Sequence, residues 1–123
     1  MKKIFLILFV LLSNILISQS VISDKMVYDF GVVKYDSDTS CVFKLTNISN
    51  SVVSITECKP SCGCVVPTCP TGEIKPKQSV DIKINYDFKR EGPINKSITI
   101  YLSDPNQEVL ILRIRGMVLK KSE

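Results

Sequence analysis

The stretch Ser79-Val-Asp-Ile-Lys-Ile-Asn-Tyr-Asp-Phe88 decides the fold class of this 123-residue chain, because its apolar and polar side chains alternate residue by residue. Successive side chains of a β-strand point to opposite faces, so Val80, Ile82 and Ile84 share one face while charged and amide side chains share the other. A strand with one apolar and one polar face is typical of an antiparallel sheet that covers a core on one side. The segment therefore predicts a half-buried antiparallel strand.

The same two-residue period recurs through the rest of the chain. It is present in segments 39–47, 52–56, 97–102 and 109–118, and in segment 25–35 with a kink at Gly31. Turn-forming residues separate these segments, for example Asn47-Ile-Ser-Asn50 and Ser103-Asp-Pro-Asn106. About seven short strands separated by turns predict an all-β domain, an immunoglobulin-like antiparallel β-sandwich, with a small barrel as the alternative.

The N-terminal segment has the pattern of a signal peptide. Two lysines precede an apolar run that ends at Ile17, and the small-residue exit Ser18-Gln-Ser20 follows. The apolar part is shorter than the roughly 20 residues that a transmembrane helix needs. We therefore expect a signal peptide at residues 1–20, cleaved after Ser18 or Ser20, and one sandwich domain at residues 21–123 with no membrane span. The expected location is periplasmic, cell-surface or secreted.

The composition argues against several classes of function. The sequence has no histidine and no tryptophan, five cysteines and a net charge of +4. Histidine is the usual general base at neutral pH and a frequent metal ligand, so histidine-dependent nucleophilic catalysis is excluded. The lysine and arginine residues are dispersed along the chain, which argues against a nucleic-acid partner. We therefore expect neither an enzyme activity nor a cofactor.

Four of the cysteines lie in one segment with the spacing C-x3-C-x-C-x4-C: Cys58, Cys62, Cys64 and Cys69. Because an exported protein meets an oxidising environment, these four are disulfide candidates, and four cysteines allow three pairings. Cys62–Cys64 is the least favourable bridge if the segment is extended, because residues i and i+2 then lie near the upper limit of the Cα separation. Cys58–Cys64 with Cys62–Cys69, or Cys58–Cys69 with two free thiols, are easier.

Two other uses of the four clustered cysteines stay open. Thiolates suit Cu(I) and Zn(II), so all four are also candidate ligands of a copper or zinc site. A reducible Cys62–Cys64 pair, with the other two as supporting residues, is a candidate for thiol–disulfide exchange. The fifth cysteine, Cys41, alternates with Phe43 and Leu45, and we expect it in the core as a small apolar side chain.

Several short motifs follow one another along the chain. They are Tyr28-Asp-Phe-Gly-Val-Val33, Phe43-Lys-Leu-Thr-Asn47, Ser61-Cys-Gly-Cys64, Ile74-Lys-Pro76, Ile84-Asn-Tyr86, Gly92 with Lys96, and Leu112-Arg-Ile-Arg-Gly116. Together they resemble domain-of-unknown-function family 1573, which comprises secreted bacterial Hydin-like, immunoglobulin-like domains. The resemblance covers about residues 25–119 and implies an exported β-sandwich without an established activity.

The chain departs from the family pattern at three places, one of which is Val65, where the family usually has threonine. Pro76-Lys77 stands where the family usually has Pro-Gly, and a type I turn accommodates this change without a positive φ. Cys58 and Cys69 are additions to the motif pair Cys62 and Cys64. Compared with the family, these additions favour a local disulfide framework over a lone C-x-C site.

Two functional hypotheses follow. The first is a non-enzymatic extracytoplasmic module, a structural or protein-interaction component of a bacterial cell envelope that packs against or strand-pairs with an envelope protein. The alternative is a thiol-based metal-binding or redox protein that uses Cys58, Cys62, Cys64 and Cys69.

Overall fold

Two β-sheets pack face to face in the computed structural model of this protein, which describes residues 19–122 and residue 3. The strands are β1 (Val21–Ser23), β2 (Val27–Val33), β3 (Ser40–Asn47), β4 (Val53–Pro60), β5 (Val65–Thr68), β6 (Gly72–Ile74), β7 (Ser79–Tyr86), β8 (Gly92–Asp104) and β9 (Gln107–Val118). One sheet has the order β1-β3-β7-β5 and the other the order β2-β9-β8-β4-β6. The predicted immunoglobulin-like sandwich is confirmed. The predicted signal peptide at residues 1–20 lies almost entirely outside the described residues.

The core lies between the two sheets and follows the alternation of the sequence. In β7, Ile82 and Ile84 are fully buried, whereas Asp81 and Lys83 are exposed. The inward side chains of β7 lie opposite those of β3, where Phe43 pairs with Ile82. The facing sheet contributes fully buried side chains from β8 and β9, namely Ile98, Ile100, Leu112 and Ile114. The apolar face predicted for each of these strands is therefore the face that packs.

The chain forms nine strands in the described region, where the sequence predicted about seven, and one pair of strands is parallel. After β1 the chain crosses to the other sheet, and β2 then runs parallel to β9. Strands β5 and β6 have four and three residues, so they are too short to show an alternation in the sequence. Strand β8 begins at Gly92, ahead of the predicted residue 97. It includes Pro93, which is tolerated because it lies next to the first residue of the strand.

The Asn47 side chain is a buried polar group that ties the loop between β3 and β4 to strand β6. Its Nδ2 donates hydrogen bonds to the carbonyls of Ser51 and Ile74, both at 2.8 Å. Its Oδ1 accepts from the Ser49 N–H at 3.0 Å and from the Ser49 hydroxyl at 2.6 Å. The amide is fully used, and this satisfies the requirement that a buried polar group be hydrogen-bonded.

The turn between β6 and β7 differs from the predicted type I turn. The Gln78 N–H donates to the Lys75 carbonyl at 3.0 Å, and Lys77 has a φ of +67°. Pro76 followed by a residue of positive φ is typical of a type II turn, in which this position favours glycine. The Lys77 N–H donates to the Asn47 carbonyl at 2.7 Å, and this bond helps to hold the residue in place. The prediction that Pro76-Lys77 needs no positive φ was therefore wrong.

Replacement of Lys77 by glycine should stabilise the fold. Glycine adopts a positive φ without the steric cost of a Cβ atom, so we expect Lys77→Gly to raise the free energy of unfolding by about 0.5–1 kcal/mol. Urea denaturation followed by circular dichroism measures the change. Lys77→Ala, which removes the amine but keeps the Cβ atom, is the matched control and should give no gain. An equal gain in both variants would contradict the role of the backbone.

Candidate functional site

The cysteine segment lies on the side of the sandwich where β4, β5 and β6 meet. Cys58 lies in β4, and Cys69 follows β5 directly. A disulfide joins these two residues, with their Cα atoms 6.5 Å apart. Because β4 and β5 belong to different sheets, this disulfide connects the two layers of the sandwich. In the chain-entropy model a loop of this size contributes about 3 kcal/mol.

A second disulfide joins Cys62 and Cys64 in the turn between β4 and β5. Their Cα atoms are 5.3 Å apart, well within the range that a disulfide spans. The chain turns at Gly63 instead of extending, and this removes the geometric objection that applies to an extended C-x-C. The structure thus contains the Cys58–Cys69 bridge of one arrangement that the spacing made easier, but Cys62 and Cys64 are joined and not free. The Cys64 N–H also donates to the Cys62 Sγ at 3.2 Å.

Backbone hydrogen bonds fix both flanks of this turn. On the β4 side the Ser61 N–H donates to the Ser97 carbonyl at 2.8 Å, and the Ser97 N–H donates to the Ser61 hydroxyl at 3.1 Å. On the β5 side the Asp87 N–H donates to the Cys64 carbonyl at 2.8 Å. The turn is therefore anchored to β8 and to the end of β7 by contacts that do not involve either sulfur of the Cys62–Cys64 bridge.

The metal-binding alternative finds no support in this geometry. The sulfurs of the four clustered cysteines are joined in pairs, so none is available as a thiolate ligand. Within the part of the chain that the structure describes, no group of three or more cysteine, aspartate and glutamate side chains is placed to hold a metal ion.

Cys41 lies in the core, as predicted from its alternation with apolar neighbours. It is 4% exposed and pairs with Ile84 across β3 and β7. Burial raises the pKa of its thiol to about 11, from an ordinary value of 9.0, although the positive charge of Lys25 acts in the opposite direction. A buried thiol with a raised pKa is unreactive, so Cys41 is a packing residue.

The sheet edges are a second place where this molecule can interact with another chain. At the edge strand β1, a side chain occupies the backbone groups that an added strand would use. The Gln107 Oε1 accepts from the N–H groups of Ser20 and Val21, both at 2.8 Å. The Gln107 Nε2 donates to the Val21 carbonyl at 2.9 Å. The primary amide thus bonds both backbone groups of Val21, as a neighbouring strand would. No local pattern in the sequence indicates this role of Gln107.

The edge strand β5 is closed by the loss of its donors. The bond between the Asp87 N–H and the Cys64 carbonyl sets the alternation of the β5–β7 ladder, so Val65 and Pro67 direct their backbone groups away from β7. The Val65 N–H is used in the turn, where it donates to the Cys62 carbonyl at 3.3 Å. Pro67 has no N–H. Neither residue offers a free donor to an added strand.

The edge strand β2 is interrupted by a β-bulge. Its register against β9 shifts between Asp29 and Val32, and Gly31 has a φ of +67°. The Gly31 N–H donates to the Asp29 Oδ1 at 2.8 Å, so a side chain takes the donor at the bulge. Bulges and charged side chains on an edge strand oppose continuous pairing with another strand.

The first half of β9 retains an open edge. The Arg113 N–H donates to the Met26 carbonyl at 2.9 Å, so alternate residues of β9 direct their backbone groups away from β8. The paired register with β2 begins at Val27 and Arg113. Within residues 19–122, no strand pairs with β9 on that side at Val109 and Ile111. Their side chains are 44% and 42% exposed.

No helix among the described residues is long and apolar enough to cross a membrane.

A family comparison identifies the chain. The family described as protein of unknown function (DUF1573) matches residues 21–118. The chain belongs to this family. The match confirms the resemblance seen in the sequence. The description of the DUF1573 family names no activity. No curated protein matches the chain.

Three solved structures have a similar fold. A protein of unknown function from Porphyromonas gingivalis W83 is 15% identical with a TM-score of 0.69, and the match covers 85% of this chain and 50% of that chain. The VesB protease of Vibrio cholerae is 13% identical with a TM-score of 0.69, over 80% of this chain and 32% of the protease. The PapD-like domain 7 of human CEP192 is 10% identical with a TM-score of 0.68, over 88% and 90%. This DUF1573 chain thus spans half or less of the first two, and identities this low show the fold alone.

Stability should fall in alkali because of Cys41. The unfolded thiol ionises near its ordinary pKa of 9.0, whereas the folded thiol keeps its proton until about pH 11. The contribution is therefore intact below pH 9 and is lost as the pH rises from 9 to 11, by up to about 2–3 kcal/mol. Urea denaturation across this pH range measures the fall. Cys41→Val should lack this part of the fall, and an identical pH dependence in both proteins would contradict the prediction.

Removal of the Gln107 amide should destabilise the fold through β1. We expect Gln107→Ala to lower the free energy of unfolding by about 2–3 kcal/mol, because the backbone groups of the fully buried Val21 lose their partners. Gln107→Glu should show an intermediate loss, because it keeps an acceptor but removes the donor. Gln78→Ala is the matched control: its side chain accepts from the Lys75 N–H at an exposed turn, so its loss should stay below about 1 kcal/mol. Equal losses at both glutamines would contradict this account.

Proposed function

We propose that this protein is a non-enzymatic interaction module of a bacterial cell envelope that binds an extended segment of another envelope protein beside β9. The observation that carries the proposal is the open edge at Val109 and Ile111, in a sandwich whose β1, β2 and β5 edges are closed or interrupted. A sheet edge of this kind binds a peptide by strand addition, in which main-chain hydrogen bonds give affinity.

The backbone groups at this edge are spaced for an extended peptide. Val109 and Ile111 each present one N–H and one carbonyl on the same side of β9, two residues apart. The spacing along the strand is about 6.8 Å, which matches alternate residues of an added strand. The bound segment would lie in line with β2 and end where Met26 already bonds Arg113. Its expected length is therefore short.

The side chains beside this edge give the expected chemistry of the partner segment. Val109 and Ile111 are partly exposed on the outer face of the five-stranded sheet. Val109 pairs with Tyr101 of β8, which is half-buried on the same face. An added strand places every second side chain against this face, and apolar side chains there bury surface with all three residues. The partner segment should carry apolar residues at alternate positions.

A second copy of the chain does not fit this edge through the same backbone groups. If two β9 strands paired antiparallel with Val109 opposite Ile111, Gln107 of the second copy would lie opposite Arg113. That place is taken by Val27 of the first copy. A partner segment with a free end has no such conflict, and we therefore propose a partner protein.

The chemistry of the chain supports a non-enzymatic role in an oxidising compartment. The sequence contains no histidine, and its cysteines are either paired or buried, so neither a histidine base nor a free, exposed thiol nucleophile is available. Two disulfides in a small domain are typical of exported proteins. The signal-peptide pattern at residues 1–20 points in the same direction.

Site-specific photo-crosslinking in cell-envelope fractions tests this function. We expect a photoreactive phenylalanine analogue at Ile111 to form one defined adduct, whose crosslinked peptide is an extended segment with alternating apolar residues. The same analogue at Val42, which is 41% exposed on the outer face of the other sheet, is the matched control and should form none. A synthetic copy of the crosslinked segment should then slow amide hydrogen exchange at Val109 and Ile111.

Substitution of the edge separates strand addition from simple packing. Ile111→Pro removes an N–H that points away from β8, so the fold should persist while affinity for the synthetic segment falls at least tenfold. Thermal unfolding confirms that the variant is folded. An adduct between two copies of the chain, equal adducts at Ile111 and Val42, or unchanged affinity in Ile111→Pro would each refute strand addition at this edge.

A further inference from the structure

The two disulfides of the cysteine segment constrain stretches of chain of very different length. Cys58–Cys69 spans a sequence separation of 11 and connects the two sheets. Cys62–Cys64 spans a separation of 2 within one turn. The flanks of that turn are already anchored at Ser61 and at Cys64 by backbone hydrogen bonds. Opening Cys62–Cys64 therefore removes little of the constraint on the fold, whereas opening Cys58–Cys69 removes a covalent link between the two sheets.

The two cysteines of the Cys62–Cys64 bridge differ in their exposure to solvent. Cys62 is partly exposed and lies between the exposed residues Ser61 and Gly63, whereas Cys64 is 4% exposed. Thiol–disulfide exchange needs a thiolate to approach a disulfide sulfur along the S–S axis, so access decides which sulfur is attacked. The exposure of this turn selects Cys62 Sγ as the sulfur that a partner thiolate reaches.

A backbone donor is placed to stabilise a negative charge on the same sulfur. The Cys64 N–H donates to Cys62 Sγ at 3.2 Å. A hydrogen bond to the ionised form favours that form, and a thiol that ionises readily is the better leaving group in exchange. The neighbouring Val65 N–H is engaged by the Cys62 carbonyl, which keeps the turn closed around this sulfur.

We propose that Cys62–Cys64 is an exchangeable disulfide that oxidises a pair of thiols in a partner polypeptide. A partner thiolate attacks Cys62 Sγ and forms a mixed disulfide, the Cys62–Cys64 bond breaks, and Cys64 leaves as a thiolate that takes up a proton. The second partner thiolate attacks the partner sulfur of the mixed disulfide, and Cys62 leaves as a thiolate held by the Cys64 N–H. The partner loses two electrons and gains a disulfide, and Cys62 and Cys64 become thiols.

This inference goes beyond the proposed function and does not depend on it. The cysteine turn lies on the side of the sandwich formed by β4, β5 and β6, whereas the open edge of β9 lies on the opposite side. A protein that exchanges disulfides without binding a segment at β9, or the reverse, is a consistent outcome. The two proposals can therefore fail separately.

The test uses the full folded domain and a reduced synthetic peptide with a Cys-x-x-Cys pair as the probe. At one equivalent of probe, we expect the peptide to become oxidised. Alkylation followed by peptide mass spectrometry should then label Cys62 and Cys64 and leave Cys58 and Cys69 unlabelled. The thermal unfolding midpoint should change by less than about 3 °C, because the turn keeps its other anchors. Cys62→Ala/Cys64→Ala should remain folded and leave the probe reduced.

A second measurement separates the two bridges by a graded reduction with dithiothreitol. Cys62–Cys64 should open at a reductant concentration at least tenfold below that needed for Cys58–Cys69. A probe that stays reduced, equal labelling of all four cysteines, or unfolding that accompanies the opening of Cys62–Cys64 would overturn the proposal.

Discussion

Alternate side chains from both sheets enter one apolar layer, and the burial of that layer is the interaction on which the rest of the structure depends. Phe43 and Leu112 are fully buried from opposite sheets, together with the isoleucines of β7 and β8. Each such side chain contributes about 1.5–3 kcal/mol when it is removed from water. A shift of any strand by one residue would turn its apolar face to solvent. The layer therefore fixes the strand register as well as the fold.

Two open sheets have edge strands with unpaired backbone groups. In this chain individual residues block or interrupt most of these edges. Gln107 bonds both backbone groups of Val21 in the way that a neighbouring strand does. Pro67 removes a donor from β5, and Gly31 permits the bulge that interrupts β2. Edge strands that lack such devices present unpaired backbone groups to which another chain can bind. The open stretch of β9 arises where the chain crosses between sheets, because β2 joins β9 only from Arg113 onward.

The sequence predicts the regular strands and misses what depends on distant partners. Strands β3, β7 and β9 match their predicted segments because eight or more residues carry a clear alternation. Strand β6 has three residues, one of which is a glycine, and this is too short for any period to show. The role of Gln107 was not predictable because Val21 lies 86 positions away in the sequence. Lys77 adopts a positive φ in the folded turn, and a lysine carries no local signal for that conformation.

The cysteine pairing illustrates how backbone shape decides what spacing leaves open. The C-x-C spacing allows a bridge only where the chain bends, and the bend at Gly63 brings the Cα atoms of Cys62 and Cys64 to 5.3 Å. Once this pair is joined, Cys58 and Cys69 have only each other within the cluster, and their bridge connects the two sheets. The larger bridge and the bonds at Ser61 and Asp87 then hold the turn from outside. The bend at Gly63 therefore does not depend on the Cys62–Cys64 disulfide. This disulfide can open while the apolar layer between the sheets stays packed.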